Sequence, residues 1–228
     1  MGLNKVKEGS QMYQGLVSHT WNPVRGLCYH NCEYCYCKAF EKRLNKPQPP
    51  TYLDEKEFKT NLGHGNFIFV GSANDLFAEQ IPKEWIVKTL DHCNKFDNRY
   101  FFQTKNPCRL SELTKYTELN SSICTTVETN RWYGVMGNAL VTWIRADEFS
   151  KILGIKERYV TIEPILDFDL DMFVRIVKKC RPDQVNIGAD SGHNNLPEPP
   201  KEKILELITE LEKFTTVYQK SNLKRLLK

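Results

Sequence analysis

Apolar residues in this chain come in short consecutive runs, separated by longer stretches where they recur every three or four positions. The runs at 16–19, 67–70, 100–103, 123–127, 159–162, 185–187 and 215–218 are rich in β-branched and aromatic residues and predict strands. Several are apolar on successive positions, as strands covered on both faces of a parallel sheet must be. Between them, Ile86, Leu90 and Cys93 follow Pro82 at helical spacing, and Phe173, Ile176, Val177 and Cys180 make a second stripe. Ile204, Leu207, Ile208 and Leu211 make a third, opened by Pro199 and Pro200. Such stripes are read as core and given no other role.

Strand–helix alternation of this kind builds right-handed βαβ units, hence an α/β fold with a parallel sheet. The seven candidate strands are too few for a closed eight-stranded barrel and enough for a partial, (β/α)6-like TIM barrel. An open doubly wound sheet is the second choice. Residues 1–228 are read as a single domain. Within it, 40–65 is an irregular excursion, proline-rich at 45–51 and without a core of its own. Residues 214–228 form a C-terminal extension, whose basic end from Lys220 onward is expected to be a short helix with a solvated face.

Composition adds limits more than direction. A net charge of +4 is compatible with a polyanionic substrate but is smaller than nucleic-acid-binding domains usually carry. No apolar run reaches the length of a membrane span, and the N-terminus lacks the apolar core of a signal peptide. A cytoplasmic protein with no membrane partner is expected. Its eight cysteines then point to ligands and buried residues before disulfides. Cys93, Cys108, Cys124 and Cys180 fall in apolar segments and are read as core.

The remaining cysteines lie in Trp21-Asn-Pro-Val-Arg-Gly-Leu-Cys28-Tyr-His-Asn-Cys32-Glu-Tyr-Cys35-Tyr-Cys37, after the first strand and before the first helix. In a parallel α/β fold this is the carboxyl end of the sheet, where ligands bind. Three thiolates on one loop suit a cuboidal [4Fe–4S] cluster that keeps one iron without a protein ligand. A structural zinc site needs four ligands; Cys37 or His30 offers a fourth, yet no second ligand pair follows downstream. An electron-carrier cluster needs a fourth cysteine at suitable spacing, and Cys37 stands only two residues beyond Cys35.

The Cys28-x3-Cys32-x2-Cys35 spacing, with Tyr34 before the third cysteine, resembles that of radical S-adenosylmethionine enzymes. The segment from His19 to Tyr36, then Val70-Gly-Ser-Ala-Asn-Asp-Leu-Phe77, Gln103-Thr-Lys-Asn-Pro107, Thr161-Ile-Glu-Pro-Ile-Leu166 and Val185-Asn-Ile-Gly-Ala-Asp190, resemble the phage Gp37/Gp68-like branch of that superfamily. The likeness to the spore photoproduct lyase group is more distant. Two departures stand out: Leu27 separates Gly26 from the first cysteine, and Cys37 replaces a frequent alanine. Neither removes a ligand, and Cys37 is read as a small buried residue.

The resemblance implies a partial (β/α)6 barrel, a [4Fe–4S] cluster on Cys28, Cys32 and Cys35, and S-adenosylmethionine on the open iron. The polar strand ends, with Tyr34, are then the cofactor-binding candidates: Gly71, Ser72, Asn74, Thr104, Lys105, Glu128, Glu163 and Gly188. Ser72 and Asn74 suit the methionyl amino and carboxylate groups, although an Asx turn explains Asn74 and Asp75 equally well. Lys105 and Glu163 are the catalytic candidates, Lys105 as partner of a carboxylate. An internal ion pair with Lys105 or Arg145 is the competing explanation for a carboxylate at Glu128 or Glu163. Asn106 suits a helix N-cap, Asp190 the substrate side, and His193 the surface.

Together these readings predict an enzyme that reductively cleaves S-adenosylmethionine to a 5′-deoxyadenosyl radical, with a flavodoxin- or ferredoxin-like electron donor. The expected substrate is a nucleic acid, nucleotide or modified base, and the reaction lyase, isomerase or group-insertion chemistry. Two alternatives remain open: a zinc-stabilised nucleic-acid-binding module without catalysis, and the same radical chemistry on a peptide or small metabolite.

Overall fold

The structure, a computed structural model, describes residues 3–7, 17–116 and 119–228. In chain order its elements are β1 (Asn4–Lys5), β2 (His19–Trp21), β3 (Val24–Arg25), α1 (Tyr36–Leu44), β4 (Tyr52–Leu53), β5 (Phe67–Val70), α2 (Lys83–Cys93), β6 (Arg99–Thr104) and β7 (Ser121–Thr126). There follow α3 (Thr142–Lys151), β8 (Glu157–Ile162), α4 (Leu170–Lys179), β9 (Gln184–Ile187), α5 (Lys201–Glu212) and β10 (Thr216–Gln219).

Among the described residues the main sheet runs β1-β2-β5-β6-β7-β8-β9-β10. β1 is antiparallel to β2, and every later neighbour is parallel. The chain therefore steps across the sheet in one direction without turning back. That order rules out the doubly wound sheet, which needs a reversal of strand order. With right-handed connections, a single direction of winding puts every helix on the same face.

The two faces of the sheet follow from strand alternation. Ile68, Val70, Tyr100, Phe102, Val160 and Ile162 point to the helix side, where they meet the buried stripes of α2, α4 and α5 in one core. Phe67, Phe69, Phe101, Cys124 and Tyr159 point the other way and form a smaller cluster with Val17. Its rings meet edge to face, Phe69 and Phe101 with centroids 5.3 Å apart. Nearer the carboxyl ends, the same face turns polar at Gln103, Thr126 and Thr161.

Several details differ from the sequence expectations. The first strand starts at His19 and ends at the buried Trp21, beyond the apolar run, and Leu16 lies outside the described residues. Cys108 is exposed, whereas Cys93, Cys124 and Cys180 are buried. The basic tail is not a solvated helix: Ser221–Arg225 is a single 3-10 stretch that puts Leu223 wholly in the core. The excursion at 40–65 has a definite task. Its β4 pairs with β3, and the Leu27 amide donates to Pro49 O at 3.0 Å, so the proline-rich segment backs the cysteine loop. Gly26, at φ +91°, sits where a Cβ would lie 2.5 Å from Pro50 O. Among the described residues, no helix is long and apolar enough to cross a membrane.

Candidate functional site

The carboxyl ends of the parallel strands open on a cavity of about 560 Å³. Phe69, Gln103, Thr126 and Thr161 line it from the sheet, and the cysteine loop lines it from β2. Cys28, Cys32, Cys35 and Cys37 all belong to this lining. No disulfide joins them. Burial pushes the Cys28 thiol up to about 12. A hydrogen bond from Cys37 draws the Cys35 thiol down to about 6, and the same bond pushes Cys37 up. Cys37 also reaches Ala73 O at 3.5 Å, so it is a half-buried wall residue, not the fully buried one expected.

Three soft thiol donors, contiguous in one loop and bordering one cavity, match an iron–sulfur cluster in donor type and number. They are not yet gathered about a point. Cys32 donates to Met136 O at 3.4 Å, and among the described residues no three His, Cys, Asp or Glu side chains form a group able to hold a metal ion. The donor chemistry fits; closing on a cluster requires Cys32 to turn from that carbonyl.

The loop is clamped from a distance. Glu33 N donates to Val135 O at 2.9 Å, Asn138 N to His30 O at 2.7 Å, and Asn138 Nδ2 to Tyr29 O at 3.0 Å. Gly137 permits this contact: its φ of +62° and ψ of −134° belong to glycine, and a Cβ there would stand 2.1 Å from His30 O. Gly137→Ala is expected to cost about 3 kcal/mol through backbone strain and displacement of the loop. Thermal unfolding checks this, with a midpoint lowered by roughly 6–12 °C.

Below Cys32 lies a buried charge network. Glu128, wholly buried, pairs through Oε1 with Lys105 Nζ and through Oε2 with Arg145 Nη1 at 2.8 Å. Tyr34 donates to Glu128 Oε1 at 2.5 Å, and Lys105 Nζ lies 2.9 Å from the Tyr34 hydroxyl. Burial acts to raise the Glu128 pKa, yet Arg145 and then Lys105 hold it well below the carboxylate range. For Lys105, burial acts downward and is outweighed by the Cys32 sulfur and Glu128, which leave the amine raised. The internal ion pair considered for Glu128 is therefore present, with both candidate partners at once. One carboxylate faces two cations, and Arg145 Nη2 is buried without a hydrogen-bond partner among the described residues.

Strand-end residues after β5 hold the site together. Ser72 Oγ donates to Asn22 Oδ1 at 3.1 Å, and Asn74 Nδ2 to Gly26 O at 3.0 Å. Asn74 Oδ1 has no partner among the described residues. Asp75 forms the Asx turn to Phe77 N and also accepts from Thr104 Oγ1, Lys105 N and His30 Nε2, the last at 2.7 Å. Burial pushes the Asp75 carboxyl up, but these donors, His30 foremost, bring it below its usual value. Asn106 occupies the N-cap position of the 3-10 helix Pro107–Lys115 without capping it; its amide reaches Glu79 at 3.2 Å.

Across the cavity, Glu163 pairs with Lys220 and accepts from Asn222 Nδ2 at 2.9 Å. Gly188 makes room, since a Cβ there would stand 2.6 Å from Glu163 Oε1. Asp190 turns inward to its own loop and accepts from the amides of Gly192 and Asn194, and His193 is exposed. His30, offered by the sequence as a fourth zinc ligand, is instead bound to Asp75, and sequence reasoning missed Asn22, Lys220 and Asn222 as members of this site. Spacing carries no signal for them, because each works through a partner remote in the chain.

A family model described as protein of unknown function (DUF5131) matches residues 15–203. No curated protein matches the chain. Among solved structures it is similar to a spore photoproduct lyase double mutant with bound AdoMet and dinucleoside spore photoproduct. The TM-score is 0.65 at 12% identity, over 96% of this chain and 80% of that one. A second similar structure, spore photoproduct lyase complexed with dinucleoside spore photoproduct, gives 0.63 at 12% identity over 90% and 77%. What is shared at this identity is the α/β fold.

Proposed function

We propose that this chain, which belongs to the DUF5131 family, is a radical S-adenosylmethionine enzyme acting on a nucleic acid, nucleotide or modified base. One observation carries the reading: the three spaced cysteines line a cavity at the carboxyl ends of a parallel sheet, in a fold shared with a lyase solved with AdoMet bound. The dinucleoside in that lyase's structures supports the substrate class. The motifs that resemble the phage Gp37/Gp68-like proteins point the same way, and the singly wound sheet suits a partial (β/α)6 barrel.

On this reading Cys28, Cys32 and Cys35 hold a [4Fe–4S] cluster. With S-adenosylmethionine bound and an electron from a flavodoxin- or ferredoxin-like donor, it supplies a 5′-deoxyadenosyl radical. The chain's own residues orient and insulate. Asn74, through its unpartnered Oδ1, receives the methionyl ammonium beside Gly71 and Ser72. Lys105 stands over the Tyr34 ring at 4.6 Å and sets a positive charge against a carboxylate in the cavity, steadied by Glu128. Thr104 acts through Asp75, which fixes the strand end. Glu163, seated over Gly188 and held by Lys220, faces the substrate from the far wall. A cytoplasmic setting completes the proposal.

Anaerobic reconstitution with iron and sulfide tests it. The expected product is a brown protein with about four irons per chain, a spectrum altered by S-adenosylmethionine, and 5′-deoxyadenosine released on addition of dithionite. A colourless protein that retains zinc instead overturns the proposal.

A further inference from the structure

A second cavity, of about 860 Å³, adjoins the first and shares Lys38 with it. Helix α1 forms one wall with Lys38, Lys42 and Arg43, and the 192–195 loop forms the other. Glu33 is the acid among its lining residues, so the groove is net positive. Lys38 and Lys42 lie one turn apart on the same helix face, and Lys42 and Arg43 are exposed. Tyr36, at the start of the same helix, is 49% exposed and lines the first cavity, with its hydroxyl fixed on Ser72 O at 2.5 Å. One helix thus carries a half-exposed aromatic ring at the reactive cavity, followed by three cations leading away from it. Stacking platforms with adjoining cationic grooves are how proteins track an unpaired polynucleotide.

We propose that this groove binds the phosphodiester backbone of a nucleic-acid strand that delivers one base to the cysteine-lined cavity, with Tyr36 stacking on a neighbouring base. The inference rests on the reading of that cavity as a site of chemistry on a base, and narrows its substrate from a nucleotide to a strand. Lys42 and Arg43 line the second cavity and not the first, so only a ligand that continues past the first reaches them. Phe69, Gln103 and Thr126 of the sheet line the cavity that would receive the base. The reacting base must be unpaired or leave its stack.

The test is fluorescence anisotropy of a short labelled oligothymidylate, titrated with the full chain over a range of salt. The strand is expected to bind with an affinity that falls as salt rises. The K42E/R43E pair weakens binding by about tenfold or more and reduces the slope of log K against log salt by about 1.4, two phosphate contacts on a single strand. K42Q/R43Q, which leaves no repulsion and little risk to folding, shows a smaller loss in the same direction. Unchanged binding by both pairs, or displacement by polyglutamate as effective as by unlabelled strand, overturns the groove. The chemistry is read separately, as release of 5′-deoxyadenosine by reconstituted wild type and K42E/R43E without substrate, which should be equal. Strand binding through Lys42 and Arg43 with no such release leaves the groove standing and removes the radical reading; the reverse pattern removes the groove alone.

Discussion

Replacing Glu128 with glutamine is expected to destabilise the chain by about 3–5 kcal/mol, since it leaves two buried cations facing a neutral group. Glu128 and Arg145 are both fully buried, and the Lys105 side chain is 16% exposed. Equilibrium unfolding in urea measures the loss, and the pH dependence identifies its cause. Arg145 and Lys105 hold the folded pKa of Glu128 below its ordinary 4.5, against the upward push of burial. A carboxylate depressed in this way contributes its full stabilisation above the ordinary value and loses it as the pH falls toward the folded one. The gap between wild type and Glu128→Gln should therefore be widest near neutrality and narrow below about pH 4.5. A gap constant down to acid pH would mean that shape, not charge, makes Glu128 necessary.

The second large effect lies in the cysteine loop. Cys28→Ala, Cys32→Ala and Cys35→Ala are each expected to abolish the brown chromophore and the release of 5′-deoxyadenosine, whereas Cys37→Ala keeps both. The contrast follows from position. The first three have the spacing of a cluster loop, while Cys37 lies inside α1 with its thiol turned to Ala73 O. Iron per chain and 5′-deoxyadenosine, measured on all four variants after identical reconstitution, decide the matter. Loss of iron in Cys37→Ala would make it a ligand and rule out the three-cysteine assignment.

The strands at β5 to β9 were legible in the sequence because each sets β-branched or aromatic residues at buried positions on a short run. β1, β3 and β4 were not, since two residues show no period and their pairing is fixed by the loop they support. Helix α3 was hidden for another reason. It buries Arg145 and exposes Trp143, which inverts the pattern a stripe search relies on. At the site, thiol spacing exposed the cysteines, and strand ends exposed Lys105, Glu128 and Glu163. The partners that orient them stayed invisible: His30 meets Asp75 across 45 positions, and Lys220 meets Glu163 across 57. Such pairings come into being only when the sheet is wound.

The clamping of the cysteine loop by Gly26 against Pro50 and by Gly137 against His30 has a consequence for how a cluster would be acquired. Small metal-dependent domains are unfolded until their ion arrives. Here the receiving segment is already ordered by proline and glycine contacts, so little conformational freedom remains to be lost on loading. On the proposed reading, assembly of the inorganic centre would come late, on a scaffold in which Cys32 has only to turn from the Met136 carbonyl.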